Sequence, residues 1–198
     1  MATYSDIRYN MTLSTNTTGT GGLTLISTLT SDGSDSDLTF SSGIDSTYKE
    51  YIFKFYNIHP QTDNKDFGVN FRDGSTAYDA TKTTTYFHAV NQEDDGGTSL
   101  AYITGHDEAQ STDQALLSEG ISSDADHGSS GYLHLFDPSS TTFVKHFICR
   151  SNGTRHSNIS SDVFVSGYCN VTAAIDGVQF KMSSGEIQGG IIKMYGVS

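Results

Sequence analysis

The sequence predicts an all-β protein: an antiparallel β-sandwich, jelly-roll-like, with at most one short helix. Charged residues make up only 17% of the chain. The polar residues are therefore mainly Ser, Thr, Asn and Gly, which suit strands and turns better than long helices. Short alternating stretches of apolar residues recur between turn residues, and this spacing is typical of a sandwich. Parallel βαβ units would need a helix after each strand, and only one stretch has a helical pattern.

About ten strands are expected along the chain. The most regular stretch is 48–58, where Tyr51, Phe53 and Phe55 fall on one face, because side chains alternate between the two faces of a strand. The other expected strands span residues 23–29, 37–40, 67–71, 83–90, 100–103, 131–136, 143–149, 163–168, 178–182 and 191–195.

One helix is predicted, over residues 107–119. Ala115, Leu116 and Leu117 lie there among acidic and polar residues, and Gly120 follows as a stop signal. A single helical turn and an ordered loop are the alternatives for this stretch. Farther along the chain, Ser151-Asn152-Gly153 predicts a hairpin turn.

The length of 198 residues fits one domain. Residues 1–36 are interpreted as an N-terminal arm with the first strand, an arm that anchors the protein to a partner, because the first twenty residues are polar and rich in Thr and Asn. Residues 37–198 are expected to form the β-sandwich domain.

The net charge of −12 argues against two classes of partner. An acidic chain without a basic cluster repels the phosphates of nucleic acids. It also repels anionic membrane surfaces, and its apolar stretches are too short to span a bilayer. We therefore expect no nucleic-acid and no membrane partner, and no export signal is visible at the N-terminus.

Neither catalytic nor cofactor-binding nor metal-binding residues are predicted. Cys149 and Cys169 are interpreted as reduced, buried thiols, with a disulfide or a catalytic thiol as alternatives. The acidic turns 32–37 and 124–128 resemble calcium loops but lack the closing Glu, so solvated turns are the simpler interpretation. The seven histidines show no ligand spacing. The sequence contains no nucleophile elbow. It leaves open a glycosidase, whose active site would need only two carboxylates.

Four blocks of sequence resemble a known group. They are SGIDSTYKEY at 42–51, SGYLHLFDPSSTTFVKHF at 130–147, AIDGVQFKMSSG at 174–185 and IKMYG at 192–196. The blocks resemble a family of virion structural proteins, capsid-decorating or tail-associated, of aquatic tailed bacteriophages. The closing Gly-x-Ile-x-x-Tyr-Gly pattern is similar to the last strand of several phage jelly-roll domains. The resemblance covers about residues 37–198.

The resemblance implies a non-enzymatic structural protein that decorates or stabilises the capsid surface. Its partners would be other virion proteins, with homo-oligomers expected. It would be located in the virion, after assembly in the host bacterial cytoplasm. Surplus Tyr residues on a sandwich support an alternative, a tail- or fibre-associated module that binds a receptor or a carbohydrate, since exposed rings can stack on sugars.

Overall fold

The computed structural model describes residues 22–198, which form twelve antiparallel β-strands and no helix. The strands are β1 (Leu23–Thr30), β2 (Leu38–Phe40), β3 (Glu50–Pro60), β4 (Lys65–Arg72), β5 (Lys82–Gln92), β6 (Thr98–Tyr102), β7 (Ala115–Ile121), β8 (Ser129–Phe136), β9 (Lys145–Arg155), β10 (Ile159–Cys169), β11 (Gly177–Met182) and β12 (Ile187–Val197).

The strands join into one sheet that nearly closes on itself. Its main path runs β1-β12-β3-β8-β9-β7-β4-β11-β2. The ends of this path approach each other, since a Cβ added at Gly43, just after β2, would lie 3.0 Å from Ile26 Cγ2 in β1. A branch leaves the path at β9 and continues through β10 and β5 to β6. The predicted all-β antiparallel class is confirmed, but the sheet is barrel-like rather than a clear sandwich.

The core lies inside this sheet and is rich in aromatic rings. Tyr51, Phe53 and Phe55 of β3 all face inward and are fully buried, as their alternation predicts. Phe67 of β4 and Phe180 of β11 stack with 5.8 Å between ring centroids, and Phe180 also packs against Phe53 at 5.6 Å. Because each ring removes about 150–250 Å² from water, these contacts hold the two sides of the barrel together.

The predicted helix at 107–119 is wrong. Residues 115–121 form β7, and the residues before them run along the edge of β5. The amide of Thr84 donates to the carbonyl of Glu108 at 2.9 Å, and Ser111 and Lys82 exchange two backbone hydrogen bonds. Pairing with a neighbouring strand overrides the weak local helical preference. Gly120, interpreted as a helix stop, does have a left-handed φ of 54°, but it lies within β7.

The hairpin turn predicted at residues 151–153 is also wrong. Ser151 and Gly153 lie inside β9 and face inward, with the Ser151 hydroxyl donating to the carbonyl of Leu117 at 2.5 Å. The turn comes later, where Ser157 and Asn158 have φ values of 68° and 56°. β9 pairs with β10 over eleven residues, from Lys145 to Arg155. The backbone hydrogen bonds along this pairing outweigh the local turn signal, because each paired residue satisfies further backbone groups.

The first strand belongs to the same sheet as the rest of the described chain. β1 pairs with β12 along its length, from Leu23 beside Val197 to Thr30 beside Ile191. The first twenty residues of the predicted arm lie outside the described residues, so the anchoring role remains a prediction. Within residues 22–198, no helix is long and apolar enough to cross a bilayer.

Candidate functional site

A row of side chains, most of them aromatic, crosses the outer face of the sheet at the branch. Strand register places Tyr102 of β6 beside Phe87 of β5, and Phe87 beside Phe164 of β10. Arg150 of β9 follows Phe164, and Tyr132 of β8 follows Arg150. We call these five residues the outer aromatic row. Neighbours in register on one face lie close enough for their side chains to touch.

The middle of the outer aromatic row is an ordered stack. The rings of Phe87 and Phe164 are 4.8 Å apart between centroids and only 3° from parallel. The Arg150 guanidinium lies 4.7 Å from the Phe164 centroid, and Asp162 holds it through two hydrogen bonds of 3.1 and 2.8 Å. Because β5 and β9 flank β10 on opposite sides, both faces of the Phe164 ring are covered. This ring therefore offers its edge, not its face, to an incoming molecule.

The row is exposed to an extent that is unusual for apolar side chains. Phe87 is 39% exposed and Tyr102 is 50% exposed. Ile148, one step along β9 on the same face, is 44% exposed, and a shallow depression of about 300 Å³ lies between it and the stack. A contiguous apolar patch of this kind on a protein surface marks an interaction site more often than a chance exposure.

A buried polar network lies on the opposite, inner face of the same strands, centred on Glu119 of β7. Its carboxylate accepts hydrogen bonds from His88 Nδ1, from Arg155 Nη1 at 3.0 Å and from the Ser161 hydroxyl at 3.1 Å. His106 Nδ1 lies 3.3 Å from the other carboxylate oxygen. The two histidines thus meet at one carboxylate, although their spacing in sequence gives no sign of it.

The network fixes the charge of Glu119. Burial opposes the ionised form, but the close contacts with His106 and His88 and the charge of Arg155 more than offset it, and the pKa of Glu119 falls to about 2. The contact with Glu119 raises the pKa of His106 above its ordinary value, although burial opposes this. At neutral pH, therefore, the centre of the network is a carboxylate, and the Arg155 guanidinium is a permanently positive partner.

A substrate would have no access to the carboxylate at the centre of this network. Glu119 is 4% exposed and Ser161 is 2% exposed. The hydroxyl of Tyr86 and Nε of Arg155 are buried and find no hydrogen-bond partner among the described residues. Buried groups of this kind are often satisfied by an enclosed water molecule. The arrangement is typical of a structural network rather than of a site open to a ligand.

A second buried charged group lies at the other end of the same inner face. Lys82 of β5 and Lys145 of β9 flank Cys169 of β10, and all three residues are fully buried. The lysine ammonium groups donate to backbone carbonyls, Lys82 to Asp113 at 2.5 Å and Lys145 to Val171 at 3.0 Å. Burial lowers the pKa of both lysines.

Both thiols of the chain are free and buried. Burial raises the pKa of Cys149, and it raises the pKa of Cys169 to about 12 in spite of the two lysines. Because the thiolate is the reactive form, neither cysteine is poised to act as a nucleophile or a metal ligand.

The acidic turns hydrogen-bond mainly to themselves. Asp32 accepts from the amide of Ser34 at 3.0 Å and from its hydroxyl at 2.7 Å, while Asp35 accepts from the amide of Asp32 at 2.9 Å. These bonds account for the alternating carboxylates as local turn chemistry. Within the described part of the chain, no group of three His, Cys, Asp or Glu side chains could hold a metal ion.

The second acidic turn borders an open polar cleft of about 670 Å³. Asn57, His59, Asp126, Ser130 and Asn152 are among its lining residues. His59 Nδ1 lies 2.8 Å from the carbonyl of His127, which ties the turn to β3. The cleft offers many hydrogen-bonding groups, and neither Phe nor Tyr lines it.

Comparisons with known proteins give no assignment. The chain matches no protein-family model, no curated protein and no solved structure. The resemblance to phage virion proteins therefore remains a prediction from the quoted sequence blocks.

The outer aromatic row was not predicted from the sequence, although a signal for it exists. Phe164 lies between the inward-facing Val163 and Val165, and Ile148 lies between the inward-facing Phe147 and Cys149. Apolar residues on both faces of a strand indicate that the second face is also used for contact. The Glu119 network has no comparable signal, since its members come from separate elements.

Proposed function

We propose that the protein is a non-enzymatic structural component of a tailed phage virion that binds other virion proteins and decorates or stabilises the capsid surface. The observation that supports this function best is the outer aromatic row. Protein interfaces are enriched in Phe, Tyr and Arg at their centres, and the row combines these residues on one exposed face.

The strand order supports the jelly-roll form of the fold. Without β9 and the branch strands, the main path divides into two groups, β1-β12-β3-β8 and β7-β4-β11-β2. Taken in chain order, the eight strands alternate between the two groups, except that β4 and β7 both belong to the second group. Two Greek keys produce this strand order. The hairpins β5-β6 and β9-β10 are then insertions that carry most of the outer aromatic row. Jelly rolls are frequent in viral capsid proteins and in lectins, and this analogy of fold supports the proposal.

The ring geometry favours a protein partner over a sugar. Sugars bind aromatic residues by lying on a ring face, and Phe87 and Arg150 cover the faces of Phe164. A ring that offers only its edge suits the irregular packing of a protein surface instead. The burial of Glu119 and Ser161 supports a non-enzymatic role, because a substrate could not reach them.

The test is the composition of particles from the phage that encodes the chain. We expect immunogold labelling and mass spectrometry of gradient-purified particles to find the chain in many copies. Gold over the shell supports capsid decoration, whereas gold at the tail would mean that the protein attaches to the tail. Particles without the chain overturn the virion proposal.

A matched pair of variants tests whether the outer aromatic row makes the contact. Phage carrying Phe164→Ser should incorporate fewer copies, because the stack is broken. Phage carrying Phe143→Ser, which removes another exposed ring outside the row, should incorporate the normal number. Equal incorporation of both variants would show that the row is not the contact surface.

We propose a carbohydrate-binding or receptor-binding module at a tail or fibre as the second candidate. The polar cleft supports it, because amide, carboxylate and hydroxyl groups recognise sugar hydroxyls. Binding on a glycan array that is lost in Asp126→Asn and Asn152→Ala would favour this function. Absence of binding at high protein concentration would count against it.

A further inference from the structure

Among residues 22–198, the branch of the sheet ends in a strand edge that the barrel does not close. β1 and β2 end the main path and approach each other near Ile26 and Gly43. β6, at the end of the branch, pairs only with β5 among the described residues. An edge of this kind presents a row of backbone groups that another strand can bind.

The hydrogen bonds of β6 identify which backbone groups face outward. The amide of Ile103 donates to the carbonyl of Tyr86, and the carbonyl of Gly97 accepts from the amide of Gln92, both at 3.0 Å. Bonding direction alternates along an antiparallel strand. The amides and carbonyls of Thr98, Leu100 and Tyr102 therefore point away from β5.

The side chains of β6 do not protect this edge. Its sequence, Thr-Ser-Leu-Ala-Tyr, contains no charged residue and no proline, which are the usual guards of an exposed edge. Leu100, at its centre, is 76% exposed, and Tyr102 is 50% exposed. Both lie on the outer face, where Tyr102 begins the outer aromatic row.

We propose that β6 pairs with β6 of a second copy of this chain, antiparallel and centred on Leu100. A two-fold axis through the middle of the strand then places Leu100 beside Leu100 of the second copy and Thr98 beside Tyr102. All the outward amides and carbonyls of Thr98, Leu100 and Tyr102 find partners in this register. Self-pairing fits because the outward-bonding residue Leu100 is also the central residue of the strand.

The pairing extends the sheet of each copy and joins the two outer faces. The axis is normal to the sheet, so both aromatic rows end on the same side of the dimer. Like-charged turns oppose the contact, because Asp94 and Asp95 next to one end of β6 approach Asp107 next to the other end in the second copy. With a net charge of −12 on each copy, the dimer should strengthen as salt concentration rises.

Cysteine cross-linking tests this register. Residues directly opposite in a hydrogen-bonded pair have Cα atoms about 5.5 Å apart, within the range of roughly 4.4–6.8 Å that a disulfide needs. Leu100→Cys should therefore form disulfide-linked dimers in a glutathione buffer. Thr98→Cys is the control on the same strand and face, and its two copies would be about 14 Å apart. The native thiols are buried and do not compete.

We expect Leu100→Cys to form linked dimer at least about ten times faster than Thr98→Cys. Equal rates would overturn the proposal and leave the edge to another strand, either of a different protein or of the N-terminal residues. Sedimentation equilibrium of the unmodified chain over a wide concentration range gives the second measurement. Leu100→Lys should abolish dimers, because it places two like charges at the axis.

Ile148→Lys is the control for the sedimentation measurement. It adds the same charge to the outer face but lies away from the edge, and it should leave the dimer intact. Dimers that persist in Leu100→Lys and dissociate in Ile148→Lys would place the contact on the face and overturn pairing through β6. Self-pairing needs no virion, so failure here and failure of the particle test are distinguishable.

Discussion

The inner and outer faces of β5, β9 and β10 each depart from the usual arrangement of side chains. The inner face buries charged residues, Lys82 and Lys145 at one end and Glu119 at the other. The outer face carries two stacked rings, the exposed Phe87 and the half-buried Phe164. The buried charges have hydrogen-bond partners, so they are tolerated inside. These rings lie outside the core, and under the proposed function they form the contact surface for another molecule.

The largest expected effect lies on the inner face. Replacing Glu119 by Gln keeps the shape of the side chain but leaves the partly buried Arg155, whose side chain is 22% exposed, without its negative partner. We expect a loss of about 3–5 kcal/mol in the free energy of unfolding, measured by urea denaturation at pH 7. Lys49→Met removes an exposed ion pair with Asp137 and should cost less than about 1 kcal/mol. Similar losses in both variants would show that the Glu119 network is not a centre of stability.

The pH dependence of stability gives a second, somewhat smaller effect on the same face. The pKa of Glu119 falls from its ordinary value of 4.5 to about 2 on folding. Its contribution is therefore present above pH 4.5 and is lost as the pH falls towards 2. We expect the wild type to lose about 3 kcal/mol more than Glu119→Gln over this range. Parallel curves for the two proteins would contradict the role of this carboxylate.

The smallest effect is expected on the outer face. A double-mutant cycle of Phe87→Ala and Phe164→Ala should give a coupling energy of about 0.5–1.5 kcal/mol, the usual value for an aromatic pair. Each single variant should remain folded, with unchanged circular dichroism. A loss for Phe164→Ala as large as that for Glu119→Gln would show that the row is part of the core, and the contrast between the faces would fail.

Local patterns predict the strands better than they predict turns and ends. The alternation of Tyr51, Phe53 and Phe55 gives the buried face of β3 directly, because a strand repeats every two residues. The same kind of reasoning fails at residues 107–119, where hydrogen bonds to β5 decide the backbone conformation. It fails again at residues 151–153, because pairing with β10 keeps Ser151 and Gly153 in a strand.

The candidate sites depend on neighbours that local patterns do not specify. Phe87 and Phe164 stack only because β5 and β10 pair in one register, and a shift by one residue would turn one ring to the inside. His88, His106 and Arg155 meet at Glu119 only because four separate elements come together.

By itself, the sequence determined the all-β class, the inward faces of the strands with clear alternation and the acidic character of the chain. Composition and two-residue periodicity carry this information, since they depend on each residue and its close neighbours. Only the tertiary structure decided the nearly closed sheet, the branch, the free edge at β6, the outer aromatic row and the buried carboxylate network. Each of these depends on which strands pair and in which register, and that follows from packing the whole chain together.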